Sequence, residues 1–310
     1  MLDNIEQNNS IKLANQLDDE KNKSNKNKYL LEKISKNIFF LSALISVASL
    51  LLIIGFVFYK GLNPFITKGF SFVDFLTTTE WLPGSEIFGI APMIIASLCA
   101  TFGALLIGVP VGILTAIFIA EVAPKKISKL MSPAVELLAG IPSVLYGIFG
   151  LSFIVPTIQN TFNLPKGQSL LAVIIVLSVM MLPTIITVSE TAIRSVPKAY
   201  KEGSLALGAS KIETIFKVIL PAAKSGILAA VVLGVGRALG ETMAVILVAG
   251  NSPVIPTAIT DSVRPLTTNI ALEMGYAYGT HQEMLFATGV VLFTFILVLN
   301  IVLTKLSKGE

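Results

Sequence analysis

The chain has 310 residues, of which 54% are hydrophobic and only 14% charged, against roughly 25% charged in soluble domains. A soluble fold cannot hide that much apolar surface, so the composition points to a protein solvated by lipid. The net charge of +4 is small and collects beside apolar runs, which favours membrane orientation over nucleic-acid binding. A single cysteine (Cys99) and a single histidine (His281) exclude an intrachain disulfide and any Cys-based or multi-histidine metal site, and no cofactor is expected.

In chain order, residues 1–36 are polar and rich in asparagine, with charges of both signs, and are expected to form a disordered tail. The first apolar run, Ile38 to Tyr59, holds 22 uncharged residues, enough for one crossing. It starts too late and runs too long for a cleavable signal peptide. Ile87 to Ala120 is uncharged for 34 residues. As a straight helix it would extend about 51 Å, more than a bilayer core needs, and charge decides between one crossing and two. One crossing places Lys125, Lys126 and Lys129, and the later cluster from Arg194 to Lys224, on the cytoplasmic side. Further spans are expected at Ser132 to Thr157, Gln168 to Val188, Ser225 to Ala249 and Met284 to Thr304. Eighteen basic residues then lie inside and four outside (Lys60, Lys68, Lys166, Arg264). The expected fold is an all-α integral membrane protein with six transmembrane helices and both termini cytoplasmic.

The inner loop at 190–224 carries the most information. Pro197 suits a helix start, Gly208 suits the left-handed position that closes that helix, and Ser210 with Glu213 matches a capping box that opens a second. Pro221 is expected to mark the beginning of the next span. Such a pair reads either as an ordinary interfacial hairpin or as a docking surface for a cytoplasmic protein. The run Glu202-Gly203-Ser204, three residues, Gly208, nine residues, Val218-Ile219-Leu220-Pro221 resembles the EAA loop of ABC importer permeases. That resemblance implies a coupling role for Glu202, Gly203, Ser204, Gly208, Leu220 and Pro221 against an ATP-binding subunit. Gly203 and Ser204 stand where the pattern has alanines. Both are small enough to keep close packing, although Gly203 lowers helix propensity by about 1 kcal/mol.

A broader resemblance covers roughly Trp81 to Phe293. The segments LLIGVPVGI, IFIAEVAP, PAVELLAGIPSVLYGIFGL, EGSLALGASKIETI and GRALGETMAVILVAGN are similar to the PstC-type permeases of phosphate ABC importers. The resemblance implies a heterodimer with a PstA-like permease, two PstB-like ATPase subunits and an external PstS-like phosphate-binding protein. The division that follows is a tail (1–36), a first transmembrane helix (37–60), an external loop (61–86), a permease core (87–305) and a cytoplasmic C-terminus (306–310). Membrane lipid is the other expected partner, and nucleic acid is not one.

Arg237 is expected near the middle of the fifth span, where an arginine costs roughly 2.5 to 3.5 kcal/mol on insertion scales. Glu241, one turn on, is within reach for an ion pair, and Glu136 could pair across helices. These three read either as a structural charge cluster or as a polar translocation path in which Arg237 attracts an oxyanion; the family resemblance favours the path. Pro110, Pro142 and Pro183 fall inside spans, where helices would kink, and Gly236-xxx-Gly240 permits close helix packing. The outer loops hold Trp81, Asp261, Arg264 and His281, which either receive a soluble binding protein or cap helices. No G-x-x-x-x-G-K-[ST] occurs, so ATP hydrolysis must come from a partner chain and this subunit is not expected to be an enzyme. The expected function is a phosphate permease. A permease for another oxyanion such as sulfate or molybdate, an ion-coupled secondary transporter acting alone and a non-transporting membrane partner are the alternatives. An ion-coupled transporter would be expected to carry inverted repeats, which are not evident here.

Overall fold

The computed structural model describes the backbone of residues 2–308 and the side chains of residues 32–302, 304 and 305. The elements in order are α1 (Leu2–Thr67), α2 (Phe72–Thr77), β1 (Trp81–Leu82), β2 (Ile87–Phe88), α3 (Ala91–Ile117), α4 (Lys125–Ala139), α5 (Ser143–Phe149), α6 (Val155–Thr161), α7 (Leu170–Arg194), α8 (Lys198–Ala206), α9 (Lys211–Thr214), α10 (Leu220–Gly240), α11 (Met243–Val248), α12 (Leu266–Glu273) and α13 (Thr280–Lys308). Three π-helical turns, Phe118–Val122, Gly150–Ile154 and Ile215–Ile219, extend α3, join α5 to α6 and join α9 to α10. Six helices among the described residues are long and apolar enough to cross a membrane: Glu32–Thr67, Ala91–Val122, Ser143–Thr161, Leu170–Arg194, Lys211–Gly240 and Thr280–Val302.

The chain divides into two compact units, residues 1–56 and 57–310. The first is a stretch of α1 alone. Its backbone is helical through the segment for which a disordered tail is expected; that segment contains neither glycine nor proline to interrupt a helix. The side chains of residues 1–31 lie outside the described residues. From Ile38 to Phe56 the apolar side chains point outward, Phe39 and Leu52 being 72% and 71% exposed, as a lipid-facing helix requires.

In the second unit α7 is the central helix. Val173, Val176, Leu177, Met180, Met181, Ile185, Ile186 and Ile193 along it are buried. Against it lies a ridge of small residues repeating every fourth position of α3: Ala96, Ala100, Ala104, Gly108, Gly112 and Ala116, all buried. The ridge lets the two backbones approach closely, the device that membrane helices use in place of a hydrophobic driving force. A Cβ on Gly112 would come within 2.7 Å of Ile185 Cγ2, and one on Gly108 within 2.8 Å of Met181 Sδ. On α10 the close-packing glycines are Gly226, where a Cβ would run into Ala192 Cβ, and Gly234, where one would come within 3.1 Å of Met181 Cε and Ile185 Cγ1. Gly236 and Gly240, the expected packing pair, face open space within this chain.

The second crossing is one helix, as charge dictated, but it begins at Ala91 because Ile87–Phe88 pair antiparallel with Trp81–Leu82. The expected third span, Ser132 to Thr157, is broken. The chain turns at Gly140–Pro142, leaving α4 as a separate amphipathic helix and starting the crossing at Ser143. Pro142 has no N–H and caps the N-terminus of α5, so it is a helix boundary rather than a kink. Pro110 and Pro183 do lie inside helices. The fifth crossing is displaced toward the N-terminus and runs unbroken from Lys211 through Pro221 to Gly240. Pro221 therefore does not begin the helix. The π turn before it satisfies the backbone by directing the Leu220 N–H to Ile215 O.

Candidate functional site

Three groups of residues stand out, one at each end of the bundle and one at the broken end of α10. At the lysine-rich end, Pro197 caps α8, Gly208 adopts φ +86° to close it, and Ser210 with Glu213 forms a reciprocal capping box on α9. The two short helices are tied by a 3.0 Å hydrogen bond between the hydroxyls of Ser204 and Thr214. Glu202 is exposed and lines a cavity of about 400 Å³ together with Glu121, Arg194, Lys198 and Lys201. Gly203 is also exposed, and a Cβ there would touch nothing within 4 Å, so no contact within this chain requires a small residue. Leu220 and Pro221 continue the hairpin directly into α10.

This hairpin is braced on the neighbouring helices. Lys201 pairs with Glu121 at the end of α3. Arg194 donates Nε–H to Glu190 at 2.9 Å, and its Nη2 reaches Ser128 Oγ at 2.8 Å and the Ile119 carbonyl at 3.2 Å. Ser132 donates to the same Glu190 oxygen at 2.9 Å. The Arg194–Glu190 pair thus links α7, α4 and the end of α3. The sequence pattern marks Arg194 only as an inside charge, because its partners outside α7, Ser128 and Ile119, lie 66 and 75 positions away.

Arg237, Glu241 and Glu136 are not brought together. Arg237 sits in the last turn of α10, not at mid-span, and its Nε is buried with no hydrogen-bond partner. The helix ends at Gly240, and Glu241 has left it with φ −71° and ψ 130°, so the expected ion pair on one helix face does not form among the described residues. Glu241 instead accepts the Ala244 N–H at 3.0 Å, capping the start of α11, while its carbonyl accepts from Thr267 Oγ1 at 2.9 Å. Glu136 is exposed on α4. The arrangement is an arginine at a helix break, with no carboxylate paired to it among the described residues.

At the loop-rich end a buried carboxylate organises the surface. Glu273 Oε1 accepts from Arg264 Nη1 at 2.8 Å; its Oε2 accepts from Trp81 Nε1 at 2.8 Å and lies 2.8 Å from His281 Nε2. Arg264 also donates to the Asn251 carbonyl at 2.8 Å. His281 is enclosed by the rings of Trp81, Phe88 and Tyr276, with centroids 5.9 to 6.3 Å away. Three of these residues, Trp81, Arg264 and His281, are singled out by the sequence; Glu273, which joins them, is not. Asking what neutralises Arg264 would have pointed to Glu273, the nearest acid downstream of it that precedes the last span. Asp261 caps a turn, accepting from the amides of Thr257 and Ala258 and from the Thr257 hydroxyl, and these hydrogen bonds hold its carboxyl below the usual range.

The family described as "Binding-protein-dependent transport system inner membrane component" matches residues 108–309. The chain is 43% identical over 285 residues to "Probable ABC transporter permease protein YqgH" of Bacillus subtilis, covering 89% of this chain and 92% of that protein. It is 36% identical over 247 residues to "Phosphate transport system permease protein PstC" of Mesorhizobium japonicum, covering 73% and 75%. It is 33% identical over 299 residues to "Probable phosphate transport system permease protein PstC" of Methanocaldococcus jannaschii, covering 89% and 94%. Among solved structures, a chain of a bacterial ABC transporter involved in alginate import superposes with a TM-score of 0.62 at 20% identity, covering 90% and 98%, which is a likeness of fold. The six apolar helices, the bent hairpin between the fourth and fifth of them and the family match over residues 108–309 place the chain among the inner-membrane components of binding-protein-dependent transport systems, the multi-pass permease subunits of ABC importers.

Proposed function

We propose that this chain is the PstC-type permease subunit of an ATP-driven importer of inorganic phosphate, with the lysine-rich end facing the cytoplasm. The orientation is supported by the eighteen basic residues that alternation of the spans places at that end. The cargo is supported by the names of the relatives. The single observation that carries the transport path is Arg237, a cation at a helix break with a buried, unpartnered Nε. An arginine left without a bound counter-ion in a membrane span is costly unless an anion or a water-filled path meets it. A hydrated oxyanion passing the break would receive charge-assisted hydrogen bonds from it.

Coupling follows from helix continuity. An ATP-binding partner gripping the hairpin at Glu202 and Gly208 would act on the helix Lys211–Gly240, which runs unbroken to Arg237. At 1.5 Å per residue that is a lever of about 39 Å from Lys211 to Arg237. The bracing through Arg194 and Glu190 transmits the same displacement to α4 and α3. A PstA-like second permease would complete the path, two PstB-like ATPases would supply the stroke, and a PstS-like protein would deliver phosphate at the loop-rich end. Uptake of labelled phosphate by cells lacking and regaining this chain, with sulfate and molybdate as competitors, tests the cargo. Arg237→Gln should abolish uptake while the complex still assembles; uptake at the normal rate in that variant would refute the path.

A further inference from the structure

A cavity of about 710 Å³ opens at the loop-rich end beside the Glu273 cluster. Its base is settled: Glu273 is paired with Arg264 and His281, and Trp81 and Phe88 are buried. Its rim is not. Tyr276 and Tyr278 are 63% and 84% exposed. Glu86 is exposed and makes no side-chain hydrogen bond or ion pair among the described residues. Glu86 also holds φ +55°, a left-handed conformation that non-glycine residues seldom adopt, which turns the chain sharply at the cavity mouth. The Glu273 carboxylate is taken up by Arg264 and His281, so the carboxylate that lines the cavity without a partner among the described residues is that of Glu86. A concave surface with two open tyrosine rings and one free carboxylate suits a guanidinium or ammonium group, by cation–π contact and charge pairing together. It disfavours free phosphate, which would meet that carboxylate.

We propose that this cavity is the socket for a basic loop of the soluble extracytoplasmic binding protein, an exposed arginine or lysine seating between Tyr276, Tyr278 and Glu86. This inference rests on the functional reading above for its partner, and on the cavity for its chemistry. Aromatic anchors with a charge at the rim are the usual composition of a docking hot spot.

The test uses the assembled complex in proteoliposomes, with purified phosphate-binding protein titrated from the outer face. Glu86→Lys should raise the half-saturating concentration of that protein about tenfold and flatten its salt dependence, as reversal of an interfacial charge does. Glu86→Gln should give a smaller rise, and the basal ATP hydrolysis of the complex should stay unchanged in both. A photo-cross-linking residue in place of Tyr278 should capture the binding protein on a peptide bearing an exposed arginine or lysine, and reversing that residue's charge should restore the Glu86→Lys variant. An unchanged half-saturating concentration, or capture only of lipid or of the neighbouring permease chain, would overturn the socket. If the wild-type complex moved another solute yet Glu86 and the cross-link behaved as stated, the cargo would be wrong and the socket would stand.

Discussion

Glu273 offers the strictest test of the described geometry, because three donors converge on one carboxylate and one of them is the only tryptophan in the chain. Glu273→Ala would strand the Arg264 guanidinium and the Trp81 N–H, each held at 2.8 Å from a Glu273 oxygen, and would unpair His281. Breaking a buried pair by removing one partner costs about 3 to 5 kcal/mol. The side chains of Arg264 and His281 retain 18% and 16% exposure, so some water reaches them and the lower figure, about 3 kcal/mol, applies. For a chain of this size 1 kcal/mol corresponds to about 2 to 4 °C in melting temperature, so a fall on the order of 10 °C is expected. Glu273→Gln keeps the shape and part of the hydrogen bonding and should lose about half as much. The assay is a thermal scan of Trp81 fluorescence in lipid nanodiscs, which reads the affected residue directly. A melting temperature within about 2 °C of the parent, with Trp81 emission unshifted, would refute the cluster as a structural hub.

Glu202→Lys should leave ATP hydrolysis running in the assembled complex while uptake falls to background; normal uptake would remove the docking role of the hairpin. Gly112→Ala drives a Cβ to 2.7 Å from Ile185 Cγ2 and should lower bundle stability by about 1 to 3 kcal/mol, whereas Gly236→Ala meets open space inside α10 and should leave the isolated chain as stable or up to about 1 kcal/mol more stable, as thermal scans of the two would report. For Asp261 the sign follows from its depressed carboxyl: its turn is stabilised above the ordinary aspartate pKa of about 3.9 and loses that support as pH falls through the lower folded value. Protection of the Thr257 and Ala258 amides relative to their intrinsic exchange rates should therefore fall on acidification, and Asp261→Asn should remove that pH dependence.

The hairpin was legible residue by residue, because caps are local. Pro197, Gly208, Ser210 and Glu213 act within one turn of themselves, and each occupies the position that its chemistry requires. Span count was legible for a similar reason, since hydropathy and charge are summed along the chain. The fifth span was read about ten residues late because hydropathy does not see Lys211 and Lys217 as part of a helix that merely emerges from the lipid. That shift moved Arg237 from mid-span to a helix end and dissolved its pairing with Glu241. The third span was misplaced because apolar content continues across Gly140 and Pro142, and only the backbone break separates an amphipathic helix from a crossing.

Sequence alone determined that this chain lives in a membrane, crosses it six times and carries a capped, bent hairpin between its fourth and fifth spans, since these follow from composition, charge asymmetry and local capping. Tertiary structure decided which glycines are needed for packing, that Arg194 braces three elements, that Glu273 gathers residues from 81 to 281, and that the Arg237 Nε is buried without a partner among the described residues. The physical reason is range. Periodicity and capping act within a few residues, whereas a buried charge finds its partner through space, at separations that no pattern along the chain encodes.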